Sequence, residues 1–310
     1  MTTEPGTAAP PPSIPAAFRR PGALEQVWTV LRHEWRLLFF SPRMVAPMLV
    51  YAGFGALAMF LMVKTGDALR EKAAEAGVGP EALEEGMSKS LGEVLGLVGW
   101  GDAATGAEIG RDHVPLLVLS FFAAASYFLP LLVALVSFDL FSNLSTRGAR
   151  FALLRVRRGG YFAGKALAAL ASVAGFLFAM WLVVVVVALT KADESQGLYV
   201  VREGLRAWAL MCVLALPYLA ITALVSSLSA PGLAFVATLG SYVALSLANG
   251  AAHRLPESLS APALLAFPWE HAPRLIARDL PTLASGVGGL LVIAAVLYAA
   301  TAALLGRRDV

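Results

Sequence analysis

Residues 167–189 read LAALASVAGFLFAMWLVVVVVAL, a run with no charged side chain and no side-chain amide. As an α-helix it extends about 35 Å, enough to cross the roughly 30 Å hydrocarbon core of a bilayer. It is apolar on every side, so it has no water-facing stripe and belongs in lipid. The same test worked outward along the chain finds five more runs, at 44–63, 114–140, 208–228, 232–248 and 284–305. The expected fold is all-α: a polytopic membrane protein with six transmembrane helices. Composition agrees, because 58% of the 310 residues are apolar and only 15% are charged, a balance that soluble domains rarely carry.

The rest of the chain divides around these runs. Residues 1–20 hold five prolines before Phe18 and an early Glu4, with no basic start leading into an apolar stretch. They read as a disordered tail rather than a signal peptide. Residues 21–310 are expected to form one membrane domain. Ser229, Ala230 and Pro231 separate the fourth and fifth runs, which forces a tight antiparallel pair. Pro130 and Pro217 lie inside runs, where each removes a backbone donor and predicts a local bend. The single cysteine, Cys212, excludes an intramolecular disulfide and a cysteine metal cluster.

Charge sets the orientation. The segments before the first run, between the second and third, and after the sixth, counted with Asp139 at the end of the second run, carry thirteen basic residues against five acids; the other three connections carry eleven against sixteen. The positive-inside rule places the first set, and with it both termini, in the cytoplasm. The expected location is therefore the inner (cytoplasmic) membrane of the cell. Topology and anionic lipid headgroups account for the basic excess, so no nucleic-acid partner is expected.

Three stretches outside the runs have a pattern of their own. Leu24, Val27, Trp28, Leu31 and Trp35 recur at helical spacing with Arg32 and Arg36 off that stripe, which describes an amphipathic helix lying at the membrane interface. Leu83, Met87, Leu91, Val94 and Val98 share one helical face in the connection 64–113, to lie on lipid, on a partner or on the domain itself. The connection 251–283 holds five prolines around an apolar 263–269 too short to span, so a re-entrant or interfacial turn is expected.

Few residues carry chemistry. Gly159 to Lys165 fits the spacing of a phosphate-binding loop, but Ala166 stands where a magnesium-holding Ser or Thr is needed and the lysine leads straight into an apolar run. It reads as a helix start with a snorkelling lysine. His33, His113, His253 and His271 show no ligand spacing, although His253 and His271 could meet across one connection. Asp139 is the one acid inside a run, at its cytoplasmic end, where a structural role is favoured over a proton relay. A chain with so few ionisable groups at membrane depth cannot couple to ions, so energy must enter through a partner.

The segment 142–165, SNLSTRGARFALLRVRRGGYFAGK, has six basic residues and no acid around Leu144, Phe151, Leu153 and Leu154. It describes a short amphipathic cytosolic helix, then a basic turn, then the third run. Here the chain resembles the permease subunit of an ABC type-2 exporter. In that family a helix with a glycine, a leucine pair, a basic turn and a Gly-Lys at the third span connects spans two and three. Gly148, Leu153, Leu154, Arg157, Arg158, Gly164 and Lys165 occupy those places. The helix before span one, the six-span count and the closing Gly306, Arg307, Arg308 and Asp309 resemble the family as well.

The resemblance implies a half-transporter. Two copies of this chain would pair as a homodimer, with two copies of a separate ABC ATPase beneath it. ATP and magnesium would belong to that partner, leaving this chain with no cofactor, metal or catalytic site. The implied docking residues are Trp28, Arg32 and Trp35 on the first amphipathic helix, and Arg147, Gly148, Arg150, Phe151, Leu154, Arg155, Arg157 and Arg158 on the coupling helix and its basic turn. Apolar spans favour a lipid-like, drug-like or glycoconjugate cargo, or force passed to a periplasmic or extracellular partner. A membrane scaffold or receptor that anchors partners without transport would use the same basic helix.

Overall fold

A computed structural model of the protein describes residues 22–39, 116–142, 157–191, 194–230 and 232–307, with isolated positions between 45 and 79. Among these residues every regular element is helical. In chain order they are α1 (Ala23–Phe39), α2 (Leu116–Ser137), α3 (Arg158–Lys191), α4 (Glu194–Leu228), α5 (Ala234–Ala252), α6 (Glu257–Leu264), a 3-10 turn (Pro268–His271), α7 (Ala272–Ile276) and α8 (Leu280–Arg307). Four helices, α3, α4, α5 and α8, contain stretches long and apolar enough to cross a membrane. The 22-residue α2 contains no charged residue. The expected run 44–63 is described at isolated positions, among them Val45, Leu49, Leu57 and Phe60, which are helical and exposed. The tail 1–20 and the stretch 83–98 lie outside the described residues.

Helices α3 and α4 outgrow the runs that predicted them. They hold 34 and 35 residues, about 50 Å each and well beyond the hydrocarbon thickness. The charged stretch 190–207 reads as a connection, yet most of it is helix. From Glu194 to Ala207 it contains no proline and includes two Glu, two Leu and two Arg, whose helix propensity does not depend on being buried. Gly204 lets this extension pass Trp181, since a Cβ there would come within 2.8 Å of the indole Nε1. Pro130 and Pro217 both sit inside continuous helices.

The core gathers around α4. Of its apolar window 61% is buried, against 17% for α5 and α8, which turn most of their surface outward. Hydroxyls within the apolar helices bond to a carbonyl three or four residues back, as at Ser137, Ser172, Thr222, Ser226 and Thr238. That local bond removes the cost of an unpaired hydroxyl in an apolar setting. The expected α4–α5 pair is present and pinned by Tyr242, whose hydroxyl lies 2.6 Å from Thr222 Oγ1 and 3.0 Å from the Tyr218 carbonyl.

Two ends of the bundle can be told apart. At one, Phe141 stacks on Phe162, Phe162 meets Tyr298 edge-on, and Phe138 meets Phe235, so the end of α2, the start of α3, the start of α5 and the end of α8 converge. At the other, the connection before α8 forms a broken hairpin of α6, the 3-10 turn and α7. It folds back on α8, with His271 against Gly289 and Arg274 against Gly286.

Candidate functional site

The sequence draws attention to the first two turns of α3, and there the structure builds a seam. Arg157 stands just before the helix, and its carbonyl accepts the first intrahelical bond from the Tyr161 N–H at 3.0 Å. Its own N–H donates to Gln26 Oε1 of α1 at 3.0 Å. One turn later Gly164 faces α1 so closely that a Cβ would sit 2.6 Å from Val30 Cβ. Beside it, Lys165 Nζ donates to the Leu140 carbonyl at 3.1 Å and lies 3.6 Å from Glu34 Oε1. The ammonium is also 5.3 Å from the centre of the Tyr161 ring, within reach of a cation–π attraction. Gln26, Val30 and Glu34 recur every four residues, so one edge of α1 supplies a cap, a knob and a countercharge.

One expectation changes here. Lys165 does not snorkel to water: its side chain is 13% exposed and is held by Glu34 and the Leu140 carbonyl. The reason is a carboxylate within reach on a neighbouring helix. The edge of α1 that packs on α3 is the one that carries Gln26, Val30 and Glu34. Leu24, Trp28 and Trp35 remain 86%, 63% and 38% exposed, leaving an aromatic face available to lipid or to a partner. The run Gly159 to Lys165 lies within α3, so from Tyr161 onward its amides serve the helix ladder.

Of the residues implied for docking, Trp28, Arg32 and Trp35 lie exposed on α1, and Arg157 and Arg158 lie exposed at the start of α3. Arg147, Gly148, Arg150, Phe151, Leu154 and Arg155 lie outside the described residues. The structure thus joins the bases of α1 and α3 through Gln26, Val30 and Glu34, which the sequence reading passed over. A signal was present in the four-residue spacing of an amide, a valine and an acid, but an apolar-stripe search does not see it.

At the opposite end polar groups fasten the broken hairpin. Glu270 Oε1 accepts from Asn249 Nδ2 at 2.9 Å and lies 2.9 Å from His253 Nε2, both on or just after α5. His253 therefore meets Glu270 and not His271, whose ring is buried with Nε2 3.0 Å from the Leu265 carbonyl. Arg206 of α4 donates to the Ala277 carbonyl at 2.9 Å. Asp279 caps α8, and hydrogen bonds from the Thr282 hydroxyl and backbone N–H hold its carboxyl below the usual range. Among the described residues no group of three or more His, Cys, Asp and Glu side chains could hold a metal ion.

No family model, curated protein or solved structure matches this chain. The seam and the scarcity of charged residues in the apolar runs are the features that bear on function. The seam ties three elements at one end: α1, the turn after α2 and the base of α3. The Phe141–Phe162–Tyr298 contacts extend it to α8.

Proposed function

We propose that this chain is the permease subunit of an ABC type-2 exporter. In this reading it has six spans and both termini in the cytoplasm, lies in the inner membrane, and pairs with a second copy above two separate ATPase subunits. The observation that carries the reading is the seam between α1 and α3. A partner that grips α1 and the segment 142–155 would pull on α2 and α3 together, because Lys165 bonds to the turn after α2 and pairs with α1. The spans offer almost no ionisable group with which to harvest an ion gradient. A shape change in such a bundle needs a partner with different affinity for its two states, and ATP-driven closure of a docked ATPase supplies that difference.

Reversing charge at Arg150, Arg155 and Arg157 should abolish the coupling of ATP turnover to transport or prevent assembly with the ATPase. The Gln26 bond to residue 157 uses the backbone N–H and survives the change. The expected loss is roughly tenfold or more, the size of an ordinary coupling energy, read as transport per ATP hydrolysed in proteoliposomes. Undiminished coupling would count against the docking surface. Co-purification separates the permease from a scaffold or receptor that transports nothing. A permease brings down an ATPase with its own phosphate-binding loop, and its presence changes that enzyme's turnover.

A further inference from the structure

The broken hairpin is fastened on two sides, and the two fastenings are built differently. Toward α4, Arg206 donates to the Ala277 carbonyl at 2.9 Å and Arg278 donates to the Tyr199 hydroxyl. Glu203 Oε2 lies 3.6 Å from Arg206 and 4.0 Å from Arg278, and the side chain of this shared carboxylate is only 14% exposed. Just before these residues α7 buries Ala272, Leu275 and Ile276. Leu275 and Ile276 close on Leu119, Phe122 and Leu210 with a space of about 20 Å³ left among them, room for little more than one water.

Toward α5 the fastening is a single carboxylate. Glu270 Oε1 meets Asn249 Nδ2 and His253 Nε2, each at 2.9 Å, and the His253 side chain is 53% exposed. Of residues 258–271 only Pro268 and His271 are buried. This side also leaves two buried polar atoms, Asn249 Oδ1 and His271 Nδ1, with no partner among the described residues. Such atoms cost stability while dry and recover it when water reaches them. The closed position is therefore opposed on the α5 side, where its polar contacts are also the more exposed and the weaker.

We propose that α6 and the 3-10 turn form a strap, hinged on α4 at residues 277–278 and latched to α5 by Glu270. When the latch parts, Asn249 and His271 gain water and the His271 ring leaves Gly289. Trp269 moves with Glu270 and lifts from the Tyr218 ring, on which it stacks at 6.2 Å. Tyr218 is 2% exposed and meets Tyr242 edge-on at 5.7 Å. The open strap thus uncovers an aromatic wall of α4 and α5 that the closed strap hides. It requires neither a second copy nor an ATPase, so it can hold or fail apart from the permease assignment.

Distance measurements by double electron–electron resonance on the full chain in micelles test latch and hinge separately. In a Cys212→Ala background, spin labels go on exposed sites: Leu265→Cys with Val243→Cys spans the latch, and Leu280→Cys with Leu205→Cys spans the hinge. The latch pair should show a closed distance and a minor, longer one, and the hinge pair a single distance. Glu270→Ala should raise the ratio of long to short latch distances roughly fivefold or more, the effect of losing an ordinary hydrogen bond. His253→Ala, at the more exposed partner, should raise it by less. Neither should split the hinge distance, whereas Glu203→Ala should. Should Glu203→Ala fail to fold, the latch variants decide without it. No gain in the longer distance with Glu270→Ala, or a hinge pair that splits along with the latch pair, would overturn the strap.

Discussion

Gly164→Ala should unseat α1 from the base of α3 and destabilise the protein by about 2 kcal/mol, despite the better helix propensity of alanine. The added methyl would lie 2.6 Å from Val30 Cβ, 2.7 Å from Val30 Cγ1 and 3.0 Å from the Val27 carbonyl oxygen. A Cβ and a carbonyl cannot move aside by changing rotamer, so the whole helix must shift. Overpacking of this kind costs about 1–3 kcal/mol, and the gain from replacing a helical glycine is about 1 kcal/mol at most. The displacement also separates Gln26 from the Arg157 N–H and Glu34 from Lys165, bonds that depend on the same approach. Unfolding in mixed micelles measures the loss, and a second substitution tests its cause. Val30→Ala keeps the offending Cβ, so its loss should add to that of Gly164→Ala, whereas Val30→Gly removes it, and combined with Gly164→Ala it should be more stable than the sum of the two single losses predicts. Recovery with Val30→Ala would locate the conflict in the side-chain tip and sink the claim of a rigid seam. If the permease reading holds, Gly164→Ala should also weaken coupling, because α1 would no longer move with α3.

The particular residues explain how much of this could be read from the chain. The uncharged runs of α3, α4, α5 and α8 were legible because a bilayer demands the same thing of every residue over some 30 Å, and composition alone records that demand. The lengths of α3 and α4 were not. Lys191, Arg202, Glu203 and Arg206 end the apolar runs, but a helix does not stop where its composition changes. The seam was half legible. Gly164 and Lys165 stood out at the start of a span, while their partners Val30 and Glu34 lie some 130 residues away on a helix whose conspicuous feature is its tryptophans. A stripe search finds the face exposed to apolar surroundings, and here the contact with protein lies on another edge. Close helix contacts rely on a small residue and a few polar pairs, which carry little hydropathy signal. The hairpin's place against α8 was hidden for the same reason, since Gly286 and Gly289 mean nothing until Arg274 and His271 are known to lie over them.

Gly289→Ala should be the most damaging single methyl at the other end, costing about 3 kcal/mol and lifting the hairpin from α8. A Cβ at this position would lie 2.2 Å from His271 Cε1, 2.7 Å from Nδ1 and 2.8 Å from Nε2. The ring is buried at 2% exposure and tied to the Leu265 carbonyl, with no partner for Nδ1 among the described residues. To make room it must retreat by more than about 1 Å, which breaks the Nε2 bond and leaves a buried imidazole with no partner on either nitrogen. The loss combines overpacking with an unsatisfied polar group, about 1–3 kcal/mol each, less about 1 kcal/mol for helix propensity. A double-mutant cycle isolates the contact. His271→Ala alone removes the ring and leaves a void, and Gly289→Ala then places its methyl in the space the ring vacated. The double variant should therefore be more stable than the sum of the single losses predicts, by at least about 1 kcal/mol. Additive losses would mean that His271 does not rest on Gly289, and the hairpin's seat on α8 would have to be sought elsewhere.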